Sequence, residues 1–132
     1  MNLLEAANVE ADRAETERIP QADLFRRQAA EKIWGFVVSE LNRALRSAGY
    51  PVEPGPASHE ARRKWLRELD RALGTDLVSR HDAYADLHGS CFYEARCPPP
   101  DALRHMLEGA RPFVDSVALA LREVKRRSAR AA

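Results

Sequence analysis

The hydrophobic residues of this chain recur at steps of three and four, the spacing that places side chains on one face of an α-helix. Sustained alternation of apolar and polar residues, which is typical of half-buried strands, does not occur in the sequence. Trp34, Val38 and Leu45 give the second predicted helix an additional apolar face, so we expect it at the centre of a bundle or at a subunit interface. The pattern predicts an all-α fold. The main stripe of that helix, within residues 22–47, consists of Phe25, Ala29, Ile33, Phe36, Val37, Leu41 and Ala44.

Proline and glycine residues separate the predicted helices, because proline lacks an amide hydrogen and glycine favours the conformation that ends a helix. Ile19-Pro20 is expected to end a short leading helix, and Gly109 and Pro112 to kink the last one. We expect four main helices in an antiparallel bundle, preceded by the short leading helix, within a single domain of residues 1–132. The predicted helices cover residues 2–16, residues 22–47, Ser58 (as N-cap) to Leu73, Thr75 or Asp76 (as N-cap) to Tyr93, and Asp101 to Arg127.

The charge of the chain is balanced overall but unevenly distributed. The formal net charge is +1, yet residues 1–23 carry six acidic side chains and residues 122–132 carry five basic ones. The two ends could pair within the fold, across a dimer or with a partner, or could form a solvated surface. A net charge this small argues against wholesale electrostatic binding of nucleic acid.

The sequence indicates a cytoplasmic protein without a membrane anchor. No apolar run approaches the ~20 residues that span a bilayer, and the acidic N-terminus lacks the features of a signal peptide. Cys91 and Cys97 are too few for a disulfide framework, so we expect Cys91 in the core and Cys97 as a loop thiol. Together with His81 and His88 they do not have the spacing of a zinc site. Neither a metal nor a cofactor is predicted.

Two segments carry a family resemblance. Residues 29–35 read AAEKIWG and residues 87–94 read LHGSCFYE. With Ser58-His59 and Pro112-Phe113-Val114, they resemble the HEPN superfamily of small helical bundles, and most closely its archaeal repeat branch, whose members carry similar AAEKLWG and LHxxFYE segments. The resemblance implies a homodimeric bundle from a toxin–antitoxin, defence or RNA-processing system. Many HEPN domains are metal-independent ribonucleases, in which an Arg-x(4–6)-His motif brings the two side chains together at the dimer cleft.

The arginine and histidine residues of this chain depart from that motif, since seven residues separate Arg80 from His88. On one helix the two side chains would still lie only about 80° apart around the axis. The imidazole could then act as a general base towards a ribose 2′-hydroxyl, and the guanidinium could stabilise the phosphorane. Tyr84 lies between them in the sequence and would contribute to a ligand site.

Arg80 also falls within the apolar stripe of its own helix, where a cation normally requires an acidic partner. Glu40 lies in the apolar stripe of the second helix and is the candidate partner. We therefore expect a Glu40–Arg80 ion pair, within the fold or at an interface. The alternatives are a ligand or catalytic site built on Arg80, Tyr84 and His88, with Glu40 as a further ligand-binding residue, and simple exposure to solvent.

Residues 65–84 also show some features of a DNA-binding helix-turn-helix, with leucines on both sides of Gly74. Asp70 and Arg80 occupy positions where that motif favours small or apolar residues. His59 and His105 are expected on the surface near helix starts.

The leading hypothesis is a cytoplasmic HEPN-like association domain. It would form a homodimer through the second and last helices, and bind RNA, a nucleotide or a cognate nucleotidyltransferase-type protein. The alternatives are a divergent metal-independent ribonuclease using Arg80 and His88, and a helix-turn-helix regulator that binds DNA.

Overall fold

A computed structural model of the chain describes residues 2–16, 21–55 and 57–131, and contains helices and no strand within those ranges. The all-α prediction is confirmed. The helices are α1 (Leu3–Thr16), α2 (Gln21–Ser47), α3 (Ala57–Leu73), α4 (Leu77–Leu87) and α5 (Pro100–Ala131), and a π-helical segment (His88–Tyr93) follows α4. Ile19 and Pro20, where the sequence predicts a helix break, lie outside the described residues, as does Pro56.

The chain divides into two compact units. The first unit comprises Met1–Val38 and Asp82–Arg111, and the second comprises Ser39–His81 and Pro112–Ala132. Three helices, α2, α4 and α5, therefore contribute residues to both units.

The first unit packs the alanine-rich helix α1 onto its other helices. Small side chains allow a close approach, since a Cβ atom at Gly35 would lie 3.3 Å from a methyl carbon of Leu3. Acidic side chains of α1 form ion pairs with basic side chains of the same unit. Lys32 binds Glu10 at 2.7 Å, and Arg104 binds Asp12 and Glu15. Its buried hydrophobic residues include Ala7, Ala11, Ala29, Ala30, Ile33, Val37, Leu87, Leu103 and Leu107.

The second unit places α3 against apolar residues of α2, α4 and α5. In the basic end of α5, Arg126 and Arg127 pair with Glu123, and the adjacent helical residues are exposed. These ion pairs of the acidic start and of the basic end thus form within the respective units. The buried hydrophobic residues here include Leu41, Leu45, Val52, Leu66, Leu69, Leu77, Phe113, Val117 and Leu121.

The start of α4 is capped differently from the sequence prediction. The Asp70 carboxylate, on α3, accepts hydrogen bonds from the backbone amides of Leu77 at 2.8 Å and Val78 at 3.0 Å. Thr75 donates its hydroxyl to the same carboxylate at 2.5 Å. Gly74 has a positive φ of 69°, which lets the chain turn sharply enough to bring these groups together. Asp76 occupies the predicted N-cap position, since its carbonyl oxygen accepts a hydrogen bond from the Arg80 amide at 3.2 Å, but the carboxylate that caps the first amides comes from Asp70 on α3.

Two further boundary predictions need correction. Helix α3 begins at Ala57, so Ser58 lies inside it rather than at the N-cap, and its buried hydroxyl accepts a hydrogen bond from Arg62. The fourth helix is not uniform to Tyr93, because α4 ends at Leu87 and the chain continues as the π-helical segment. The last helix runs to Ala131 with Pro112 inside it.

The two cysteines also differ from the prediction. Cys91 and Cys97 form a disulfide, so the prediction of a free loop thiol at Cys97 is wrong. Cys91 is fully buried, as predicted, and Cys97 is half-buried. Among the described residues, no helix is both long enough and apolar enough to cross a membrane.

Candidate functional site

Three aromatic side chains of the first unit form a cluster around the His88 ring. The His88 ring stacks on Phe92 with 5.3 Å between centroids and 6° between planes, and Tyr93 meets it edge-on at 5.1 Å. Trp34, from α2, lies on the same imidazole at 6.0 Å and 22°. We call Trp34, His88, Phe92 and Tyr93 the aromatic cluster.

The π-helical segment produces this arrangement. Its hydrogen bonds reach the fifth residue along the chain, so the fourth and fifth residues both lie over the first. His88 therefore contacts Phe92 and Tyr93 at once. Arg27 secures the end of the segment by donating from Nε and Nη2 to the Phe92 carbonyl oxygen, at 3.0 and 2.8 Å. A guanidinium suits this position because the last carbonyls of a helix lack partners within the helix.

The cluster opens to solvent through Tyr93, whose side chain is 70% exposed. Trp34, His88 and Phe92 are half-buried beneath and beside it. A tyrosine this exposed and held by neighbouring rings presents an aromatic face without a large loss of side-chain freedom on binding.

Burial lowers the pKa of His88 below its usual value, and the negative charge of Glu31 opposes that shift without cancelling it. The imidazole is therefore neutral at neutral pH, with one nitrogen that donates and one that accepts a hydrogen bond. A neutral imidazole can bind a base edge or take a proton from a hydroxyl.

The structure places the other predicted site residues elsewhere. Arg80 belongs to the second unit, where its guanidinium lies 5.0 Å from the centroid of the Phe113 ring. Glu40 pairs with Arg43, and the ion pairs of the described residues do not include Glu40–Arg80. An aromatic face, rather than a carboxylate, accommodates the cation in the apolar stripe.

Tyr84 has a packing role. Its side chain is buried, and its hydroxyl donates to the Met106 carbonyl oxygen at 2.8 Å. A Cβ atom at Gly109 would lie 3.1 Å from that hydroxyl, so the glycine makes room for it. Of the four predicted site residues, His88 alone belongs to the aromatic cluster.

The second unit contains a buried polar cluster that the sequence analysis missed. Arg62 is 2% exposed and His81 is fully buried, with Arg62 Nε 3.3 Å from His81 Nε2. Arg62 Nη1 also donates to Ser58 at 2.6 Å and to Asn42 at 3.2 Å. Since Arg62 can only donate, His81 Nε2 is the acceptor of this hydrogen bond. Desolvation lowers the pKa of Arg62 to about 10.

A signal for this cluster is present in the sequence. Arg62 stands four residues after Ser58 and four before Leu66, on the face of α3 that turns inward. His59, expected at the surface, is half-buried, and its ring centroid lies 5.4 Å from that of His81. Arg62 thus takes part in a hydrogen-bonded network with His81, Asn42 and Ser58 in the interior of the unit.

Comparisons of the chain with protein-family models, curated proteins and solved structures found no match. Function must therefore be inferred from the residues of the site and their geometry.

Proposed function

We propose that this chain is a HEPN-like association domain that binds single-stranded RNA or a nucleotide through the aromatic cluster. The supporting observation is the exposed Tyr93 ring, held by contacts to His88 and to Phe92. Proteins recognise unpaired nucleobases chiefly by stacking them on aromatic side chains, because every base has a π-face.

The neighbouring groups suit such a ligand. A base on Tyr93 would lie beside the neutral His88 imidazole, whose donor and acceptor nitrogens match the mixed hydrogen-bonding edge of a base. The balanced charge of the chain agrees with recognition by stacking rather than by many phosphate contacts.

The wider proposal includes the features that the HEPN resemblance implies. These are a four-helix antiparallel arrangement, a homodimer through α2 and α5, a cytoplasmic location, and a role in a toxin–antitoxin or defence-type system with a nucleotidyltransferase-type partner. Size-exclusion chromatography with light scattering tests the dimer separately from ligand binding.

The test of binding is fluorescence anisotropy with a labelled single-stranded RNA oligonucleotide. Removing the aromatic ring on which one base stacks lowers the binding free energy by about 1–3 kcal/mol, which corresponds to a rise in Kd of roughly 5- to 150-fold. We expect that loss for Tyr93→Ser and near-normal affinity for Tyr93→Phe, which keeps the ring.

Leu3→Ser is the matched control, because Leu3 is also large, apolar and exposed, at 40%, but lies in α1, outside both the aromatic cluster and the helices of the proposed dimer. Equal affinities for Tyr93→Ser, Leu3→Ser and the unmodified protein would contradict the proposal. Duplex DNA in the same assay, at two salt concentrations, tests the helix-turn-helix alternative, which requires affinity that falls steeply with salt.

The lowered pKa of His88 favours one alternative, a metal-independent ribonuclease in which this imidazole is the general base. Arg80 is engaged with Phe113 instead of with His88, so the guanidinium of that mechanism would have to come from another residue. Incubating RNA with the protein in EDTA, alongside His88→Ala, tests it. Cleavage that disappears in the variant would establish the enzyme, and intact RNA with both proteins would exclude it.

A further inference from the structure

An open groove in the first unit runs beside the disulfide. It has a volume of about 650 Å³ and is lined by the end of α4, the π-helical segment, the loop after it and the start of α5. This volume is within the range of small-molecule sites. Its apolar lining includes Leu87, Pro98 and Met106, and Cys97 forms part of its wall.

The two cysteine residues differ in burial. Cys91 is fully buried, whereas Cys97 is half-buried and faces the groove. Thiol–disulfide exchange requires a thiolate to reach one sulfur atom directly, and the choice of sulfur depends on access. A reductant in the groove would therefore meet Cys97.

We propose that Cys91–Cys97 is an exchangeable disulfide, and that the groove binds a low-molecular-weight peptide thiol that reacts with Cys97. The thiolate attacks Cys97 Sγ, a mixed disulfide forms, and Cys91 leaves as a thiolate that takes a proton from water. A second thiol molecule attacks the mixed disulfide, which releases the oxidised thiol dimer and the Cys97 thiolate. The protein disulfide is reduced by two electrons, and two thiol molecules are oxidised.

The surroundings of both sulfur atoms accommodate the reduced state. Cys91 Sγ lies 3.4 Å from the Arg26 carbonyl oxygen, and Cys97 Sγ lies 3.6 Å from the Cys91 carbonyl oxygen. A disulfide sulfur has no hydrogen to donate, but the thiols formed by reduction do. Each thiol would find an acceptor already in place, so the fold offers a hydrogen bond that only the reduced form can make.

The rim of the groove carries charges of both signs. Asp86 lies on one side, and Arg96 and His105 also line the groove. A peptide thiol has an ammonium group for Asp86 and carboxylates for Arg96. The pairing of Arg96 with Glu94 is exposed on both sides, so a ligand carboxylate can replace it at small cost.

The loop that carries Cys97 is held to the π-helical segment by few groups. The Arg96 amide donates to the Ser90 carbonyl oxygen at 2.8 Å, and Ala95 adopts a positive φ of 57° that is unfavourable for a residue with a Cβ atom. The disulfide is the covalent link across this turn. Its reduction is therefore a local change in the loop. The exchange reaction is independent of the proposed binding of RNA.

Intact-mass spectrometry with glutathione disulfide tests which sulfur reacts. In Cys91→Ser, the remaining Cys97 should take up one glutathione within minutes at neutral pH. In Cys97→Ser, the buried Cys91 should react at least tenfold more slowly. Circular dichroism establishes that both variants are folded. Equal rates, or faster reaction at Cys91, would overturn the proposed direction of attack.

A second measurement tests the groove without altering either cysteine. The rate of disulfide reduction by glutathione is divided by the rate with 2-mercaptoethanol at equal thiolate concentration. Asp86→Asn and Arg96→Gln should each lower this ratio by about two- to fivefold, the effect of losing an exposed charge pair. Glu94→Gln, a change on the same loop that removes a charge outside the groove lining, should not lower it. Unchanged ratios would overturn peptide-thiol binding. If the unmodified protein kept two free thiols after incubation with glutathione disulfide, the exchangeable disulfide itself would be overturned.

Discussion

Replacing Asp70 by alanine tests the structure where it departs most clearly from the sequence pattern. The change removes two hydrogen bonds to the amides that begin α4, and one from the Thr75 hydroxyl. Loss of a helix cap costs about 0.5–2 kcal/mol, and loss of a negative charge at a helix N-terminus costs about 0.3–1 kcal/mol. We therefore expect the free energy of unfolding to fall by about 1–3 kcal/mol.

The assay is chemical denaturation followed by circular dichroism at 222 nm, with Asp76→Ala as the matched control. Asp76 is an exposed aspartate next to the first residue of α4, and it is one of the two residues, with Thr75, that the sequence predicts as the cap. We expect its replacement to cost less than about 0.5 kcal/mol, as for most surface substitutions. A larger loss for Asp76→Ala than for Asp70→Ala would refute the assignment of the cap to α3.

Three further predictions concern the sites. In a Trp65→Phe background, protonation of His88 should quench the fluorescence of Trp34 with a midpoint below pH 6.5, and His88→Gln should abolish the transition. Because the folded-state pKa of His88 lies below its unfolded value, the unfolded chain binds more protons as the pH falls through 6.5, so this group should lower the stability of the folded state in acid. Arg62→Ala should lower the free energy of unfolding by about 2–4 kcal/mol, since it leaves buried acceptors without donors. Arg67→Ala, at an exposed position of the same helix, should leave the free energy of unfolding nearly unchanged. Reducing the disulfide should lower the free energy of unfolding by about 2 kcal/mol, the chain-entropy value for so short a loop, and a shift of the denaturation midpoint on adding a reductant measures it.

The helices could be predicted from sequence because their signal is repeated many times. The prediction for α2 over residues 22–47 agrees with Gln21–Ser47 in the structure, since its apolar stripe recurs from Phe25 to Ala44 and Gly49 follows it. The end of α3 at Leu73 was predicted for the same reason. The π-helical segment was not, because His88, Phe92 and Tyr93 at spacings of four and five fit an amphipathic α-helix almost as well.

The parts of the sites that the sequence analysis missed depend on pairings between separate segments. The spacing of Cys91 and Cys97 is compatible with two thiols or a disulfide, and the turn at Ala95 decides between them. The Asp70 cap joins residues seven and eight positions apart across a turn. Arg80 was expected to require an acid, because sequence alone did not indicate that the Phe113 ring would lie against it.

The π-helical segment also affects how the aromatic surface can vary between related chains. A π-helical turn accommodates one residue more than an α-helical turn, because its hydrogen bonds reach the fifth residue instead of the fourth. Deleting a single residue such as Ser90 would restore α-helical spacing and rotate the following residues by about 100° around the axis. Tyr93 would then be the fourth residue after His88 and Phe92 the third, so Tyr93 would take the position over the imidazole that Phe92 occupies now. Deleting Ser90 should therefore exchange the ring that stacks on His88 although no aromatic residue had been lost.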